Sequence, residues 1–147
     1  MKTIALGSDP NAAGLKEILK KHIIDMGYEW KDYGSDDPIY ANVAFDVAQS
    51  VASGKHERGI LMCGTGIGMS IAANKVSGVR AALCSDAYSA ERAVKSNNAN
   101  IMTLGSQVTG PELAKSLVKV WLESRYETGT RSEPKVQRID KYDQNRK

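Results

Sequence analysis

Cysteine and histidine are scarce in this chain: Cys63, Cys84, His22 and His56 are the full set in 147 residues. Two such widely separated cysteines make neither a disulfide framework nor a CxxC pair, which fits a reduced, cytoplasmic protein. Two histidines at unrelated positions offer no ligand spacing, so no metal is expected, and both are read as solvated helix or turn residues. Aromatics are 6% of the chain and do not interleave with a basic segment, which excludes a stacking platform for single-stranded nucleic acid. The net charge of +3 is too small for a nucleic-acid binder without a concentrated patch. Long apolar runs are absent as well. Thr3–Leu6 is followed at once by Gly7, far short of a targeting core, and nothing approaches the roughly 20 apolar residues of a membrane span.

What remains is an ordinary globular composition, 41% hydrophobic and 25% charged. The length suits one domain, residues 1–147, with a sizeable core. Short apolar runs alternate with longer amphipathic ones. Strands are expected at Lys2–Leu6, Tyr28–Tyr33, Gly59–Met62, Val79–Cys84 and Ile101–Leu104. Helices are expected at Ala13–Met26, Tyr40–Ser53, near Met69–Lys75, at Asp86–Lys95 and at Pro111–Ser124, with Ser85 or Asp86 as a cap and Pro111 in a first turn. Strands apolar on both faces, each followed by a helix, predict an α/β fold: a three-layer α/β/α sandwich with a five-stranded parallel, Rossmann-like sheet. A polar helical tail, about 132–146, is expected to pack on a partner subunit. Ligands of such sheets bind at the carboxyl ends of the strands.

One of those ends carries chemistry: Cys63-Gly64-Thr65-Gly66-Ile67-Gly68. A thiol stands where a strand ends and a helix begins, and the alternating glycines let backbone N–H groups turn inward as an anion nest. The positive end of a helix favours the thiolate form of a neighbouring thiol. A thiolate beside N–H donors suits removal of a proton next to a carbonyl, with the donors holding the developing enediolate oxygen. The plainer reading is a small buried residue in a tight turn, and for Cys84, which has no glycine nest, core packing is the expectation. Other chemistries fit less well. A cysteine phosphatase loop needs arginine where Met69 stands, and no Gly-Lys-Ser/Thr follows as in a Walker loop. Asp86 lies about where a dinucleotide fold places its ribose-binding acid, but the glycines follow the third strand and no second domain remains.

The chain resembles the ribose-5-phosphate isomerase B family, which includes galactose-6-phosphate isomerase subunits. The resemblance rests on Ile4-Ala5-Leu6-Gly7-Ser8-Asp9, Gly14-Leu15-Lys16, the Cys63 loop, Ile71-Ala72-Ala73-Asn74-Lys75-Val76, Gly78-Val79-Arg80-Ala81-Ala82, Asn97, Asn100, Leu104-Gly105-Ser106 and Leu113-Ala114-Lys115. It implies a cofactor-independent aldose–ketose isomerase, a homodimer or tetramer with sites shared between subunits. By resemblance, Cys63 moves the proton between C1 and C2 and Thr65 assists. Gly64, Gly66, Ile67 and Gly68 hold the enediolate, while Asp9 and Asn97 contact substrate and Arg131 and Lys135 hold the phosphate. The family's usual histidines are replaced by Pro10, Ser96 and Ser132, and its arginines by Gln107 and Lys135. Ser96 stands where the family has its ring-opening histidine.

A tetrose 4-phosphate carries phosphate on the hydroxyl that would close a five-membered ring, so it stays open-chain and needs no ring opener. The run Tyr88-Ser89-Ala90-Glu91-Arg92-Ala93 with Ser96-Asn97-Asn98 also resembles the family's erythrulose-4-phosphate branch. D-erythrulose 4-phosphate and D-erythrose 4-phosphate are therefore preferred over ribulose and ribose 5-phosphates. The alternative is a non-catalytic module of the same fold that binds a sugar phosphate or a nucleotide.

Overall fold

The computed structural model describes residues 2–146. Five strands, Thr3–Ser8 (β1), Glu29–Asp32 (β2), Arg58–Cys63 (β3), Ala81–Leu83 (β4) and Ile101–Gly105 (β5), form one parallel sheet in the order β2-β1-β3-β5-β4. Helices Ala13–Asp25 (α1), Tyr40–Ala52 (α2), Ile67–Ala73 (α3) and Ala87–Lys95 (α4) supply the crossovers, and Pro111–Glu123 (α5) follows the last strand. The α/β/α sandwich expected from the sequence is thus present.

Strand alternation sorts the core into two layers. Ile4, Leu6, Ile60, Met62, Met102 and Leu104 face Leu19, Ile23, Val94, Leu117 and Trp121 of α1, α4 and α5. Ala5, Leu61, Cys63 and Ile101 face Val43, Val47, Met69 and Ala73 of α2 and α3. The second layer is tight: a Cβ on Gly7 of β1 would collide with Val43. Small residues on that face let α2 settle onto β1 and β3, with its first turn level with the strand ends.

Several boundaries differ from expectation for local reasons. The strand expected over Val79–Cys84 contracts to Ala81–Leu83; before it, the side-chain oxygen of Asn100 takes the Arg80 N–H, and at its first residue that of Asn74 takes the Ala81 N–H, each at 2.8 Å. The edge strand β2 is exposed rather than apolar on both faces. A 3-10 turn, Pro10–Ala12, follows β1, with the Asp9 carboxylate accepting from the Ala12 N–H at 2.9 Å. Asp86 caps α4 as expected, accepting from Ser89 N–H at 2.7 Å. The expectation of solvated histidines is corrected for His56. It is buried, with Nε2 2.9 Å from the Tyr33 hydroxyl, and burial followed by the charge of Lys55 depresses its pKa. His22 is half-buried, its Nε2 2.9 Å from the Lys115 carbonyl oxygen.

The tail forms a sixth helix, Glu133–Asn145 (α6), held by its own chain: the Asp143 carboxylate accepts from Gly78 N–H at 2.6 Å and Ser77 Oγ at 3.1 Å, and Arg80 pairs with Asp140 at 3.3 Å. No helix among the described residues is long and apolar enough to cross a membrane.

Candidate active site

β1, β3 and β5 end side by side, with Ser8 opposite Met62 and Cys63 opposite Gly105. Beyond the ladder the backbones stay stitched together: Asp9 N–H donates to Met62 O (3.1 Å), Ser106 N–H to Cys63 O (2.8 Å) and Gln107 N–H to Gly64 O (3.0 Å). Asp9, Pro10, the Cys63 loop and Gln107 therefore share one rim, fixed by backbone bonds rather than by flexible side chains.

Cys63 is the last residue of the buried central strand, 5% exposed, and its Sγ accepts the Gly66 N–H at 3.1 Å. Gly66 stands at the start of α3 with φ +83°, a conformation that L side chains rarely adopt. A Cβ there would also lie 2.6 Å from Leu83 Cδ1 and 2.9 Å from the Leu104 carbonyl carbon. The buried Thr103 hydroxyl donates to Gly66 O at 2.9 Å, so β5 clamps the turn from below. Thr65 is exposed, its Oγ1 accepting from Ile67 N–H at 3.2 Å, and Ile67 is itself exposed. Gly68 carries no side chain because the Tyr40 phenol lies on it: a Cβ would run into the hydroxyl and ring. Helix α3 begins at Ile67, two residues earlier than expected, which brings its first turn to the thiol.

The remaining candidates are not gathered here. Ser96 caps the far end of α4, and Asn97 follows it. Asn100, three residues on, accepts the Gly59 N–H at the start of β3, whereas Cys63 ends that strand. Strand rise puts the two regions on the order of 15 Å apart. Arg131 and Lys135 are exposed, in and just beyond a loop that leaves from the same amino-terminal edge. Their loop is tied there, with Glu127 N–H 3.4 Å from Lys95 O and Glu127 3.7 Å from Arg92. At the loop's root, Arg58 donates to the carbonyls of Trp121 (2.5 Å) and Ser124 (2.6 Å).

Cys84 is buried, and burial, then the charge of Asp86, pushes its thiol up to about 11. It also borders a cavity of about 570 Å³ under α6, which Arg80, Leu83, Asn97 and Tyr142 line without any residue of the Cys63 loop. Among the described residues no cluster of three His, Cys, Asp or Glu adopts a metal-holding arrangement. Sequence reasoning missed Tyr40 and Thr103 as neighbours of the loop. The signal available for Tyr40 was an aromatic two residues after the Asp36-Asp37-Pro38 turn, at a helix start; Thr103 gave none.

These features define an α/β fold whose central strand ends in a thiol held by the backbone N–H of a glycine turn. The sequence matches the ribose/galactose isomerase family over residues 4–139. It is 48% identical to a D-erythrulose-4-phosphate isomerase of Pectobacterium atrosepticum, over 100% of this chain and 99% of that one. It is 46% identical to a ribose-5-P isomerase B of Listeria innocua, over 96% and 97% of the two chains. The solved type B ribose 5-phosphate isomerase of Trypanosoma brucei superposes with a TM-score of 0.92 at 35% identity, covering 97% of this chain and 99% of that one. The chain belongs to the ribose/galactose isomerase family, and its activity is aldose–ketose isomerisation.

Proposed function

We propose that this isomerase interconverts D-erythrulose 4-phosphate and D-erythrose 4-phosphate through a 1,2-enediolate, with Cys63 as the proton carrier. The observation that carries the mechanism is the Cys63 Sγ held by the Gly66 N–H at the mouth of a glycine turn. The thiolate removes a proton from C1 of the ketose. The C1–H electrons become the C1–C2 double bond and the carbonyl electrons move onto O2, where N–H groups of Gly64–Gly68 receive the charge. Cys63 returns the proton to C2, while the C1 hydroxyl proton passes to O2 with help from Thr65 and Ser96. Asp9, Pro10, Ile67 and Asn97 contact the carbon chain, and Arg131 and Lys135 bind the phosphate.

The tetrose preference is supported by Ser96 standing where ring opening would need an acid–base group, and by the similarity to the Pectobacterium enzyme. We read this isomerase as a cytoplasmic homodimer; the division of the candidates between two edges of one chain supports the dimer, in which each Cys63 loop meets Ser96, Asn97, Arg131 and Lys135 of the partner. Exposed Leu83, Ile139 and Tyr142 beside the large cavity, and α6 along it, supply an apolar surface for that contact.

The test is a panel of tetrose, pentose and hexose phosphates incubated in deuterated water and read by NMR. Faster conversion of D-erythrulose 4-phosphate than of ribose 5-phosphate, with deuterium entering C1 and C2, is the expected result. Faster turnover of ribose 5-phosphate overturns the substrate assignment, and binding without exchange overturns catalysis in favour of a sensor.

A further inference from the structure

We infer that Tyr40 is a substrate-contacting residue, its phenol flanking the Cys63 loop at Gly68 and its hydroxyl bonding a hydroxyl of the sugar chain. Tyr40 is the first residue of α2 and 38% exposed. One turn further along the helix, Val43 sits on Gly7 of β1, which places Tyr40 level with Ser8 and Asp9 at the rim. The ring rests on Gly68 in the first turn of α3, so it bridges the Asp9 side of the rim and the glycine turn. Its hydroxyl has no hydrogen-bond partner within the chain among the described residues, although it is a donor and acceptor at a polar rim.

The presentation of this side chain is rigid. Asp37 accepts from Ile39 N–H at 2.8 Å and from Asn42 Nδ2 at 2.9 Å, which fixes the turn leading into α2. Gly66 alone of the three loop glycines has a positive φ, so backbone conformation does not explain Gly68. The seat for Tyr40 does. The third glycine therefore belongs to the substrate wall as well as to the turn, and ring and nest together bound a slot for an open-chain sugar.

This inference rests on the isomerase reading, and the wild-type panel in deuterated water tests that reading separately. With wild-type exchange established, Tyr40→Phe keeps the ring on Gly68 and removes only the hydroxyl. The expected result is a roughly 10-fold lower kcat/KM at unchanged Tm, the size of one lost hydrogen bond to substrate. Gly68→Ala is expected to displace the ring, raising KM further while leaving Cys63 in place. A substrate analogue lacking the C3 hydroxyl, processed equally by wild type and Tyr40→Phe, would assign the partner to C3; unequal processing assigns it to another hydroxyl. Wild-type kcat and KM in Tyr40→Phe would overturn the inference while leaving the isomerase activity intact.

Discussion

The Thr103 hydroxyl of β5 donates to the carbonyl oxygen of Gly66, 2.9 Å away, and so holds the turn whose N–H meets Cys63. Thr103→Val removes that donor with little change of shape. A loss of about 1 kcal/mol in urea unfolding is expected, together with a larger fractional fall in kcat than in substrate affinity, because the donors at the enediolate lose their fixed positions. Steady-state kinetics beside the unfolding curve checks both.

Cys63→Ser and Cys63→Ala are expected to abolish deuterium exchange at C1 and C2 while leaving Tm within a few degrees. Cys84→Ala is expected to retain turnover, because Cys84 packs in the core layer on the opposite face of the sheet from Cys63. Full exchange in a Cys63 variant would end the proposed mechanism.

Cys84 predicts a stability signature at alkaline pH. Its folded thiol titrates near 11, above the ordinary value of 9.0, so the native state keeps a proton that the unfolded state releases first. Stability from this group is complete below about pH 9 and falls as pH rises toward 11. Urea midpoints at pH 8, 9.5 and 11 should show a shallower decline in Cys84→Ala than in wild type.

His56 predicts the opposite direction in mild acid. Burial and Lys55 hold its folded pKa below 6.5. Stability is therefore complete above pH 6.5 and declines as pH falls through the folded value, because the unfolded chain binds the proton more readily. His56→Gln should flatten the unfolding midpoint between pH 7.5 and 5, measured against wild type.

The sharing of sites proposed above predicts complementation. Cys63→Ala and the double variant Arg131→Ala/Lys135→Ala should each be inactive alone. Co-refolded in equal amounts they regain about one quarter of wild-type activity, since half the dimers are mixed and each carries one intact site. Absence of any recovery, with mixed dimers present by mass spectrometry, would place all the residues of one site in one chain.

Much of the architecture was legible in the order of residues. Alternation of short apolar and longer amphipathic runs determined a parallel sheet between helices, because only that arrangement covers strands such as Gly59–Met62 on both faces. The Cys63-Gly64-Thr65-Gly66 run likewise marked a strand end that leads into a glycine turn and a helix, since a thiol before glycines has a local geometric meaning. Other features were decided by tertiary contact alone. Asn100 and Asn74 take the backbone donors of Arg80 and Ala81 where β4 begins, and a pattern of apolar residues carries no trace of that. Tyr40 reached Gly68 because Gly7 let α2 lie close on the sheet, a contact between three segments far apart in the chain. Local sequence determines which backbone conformations are cheap; only the packed fold decides which distant side chains meet and which candidates end on opposite edges of the sheet.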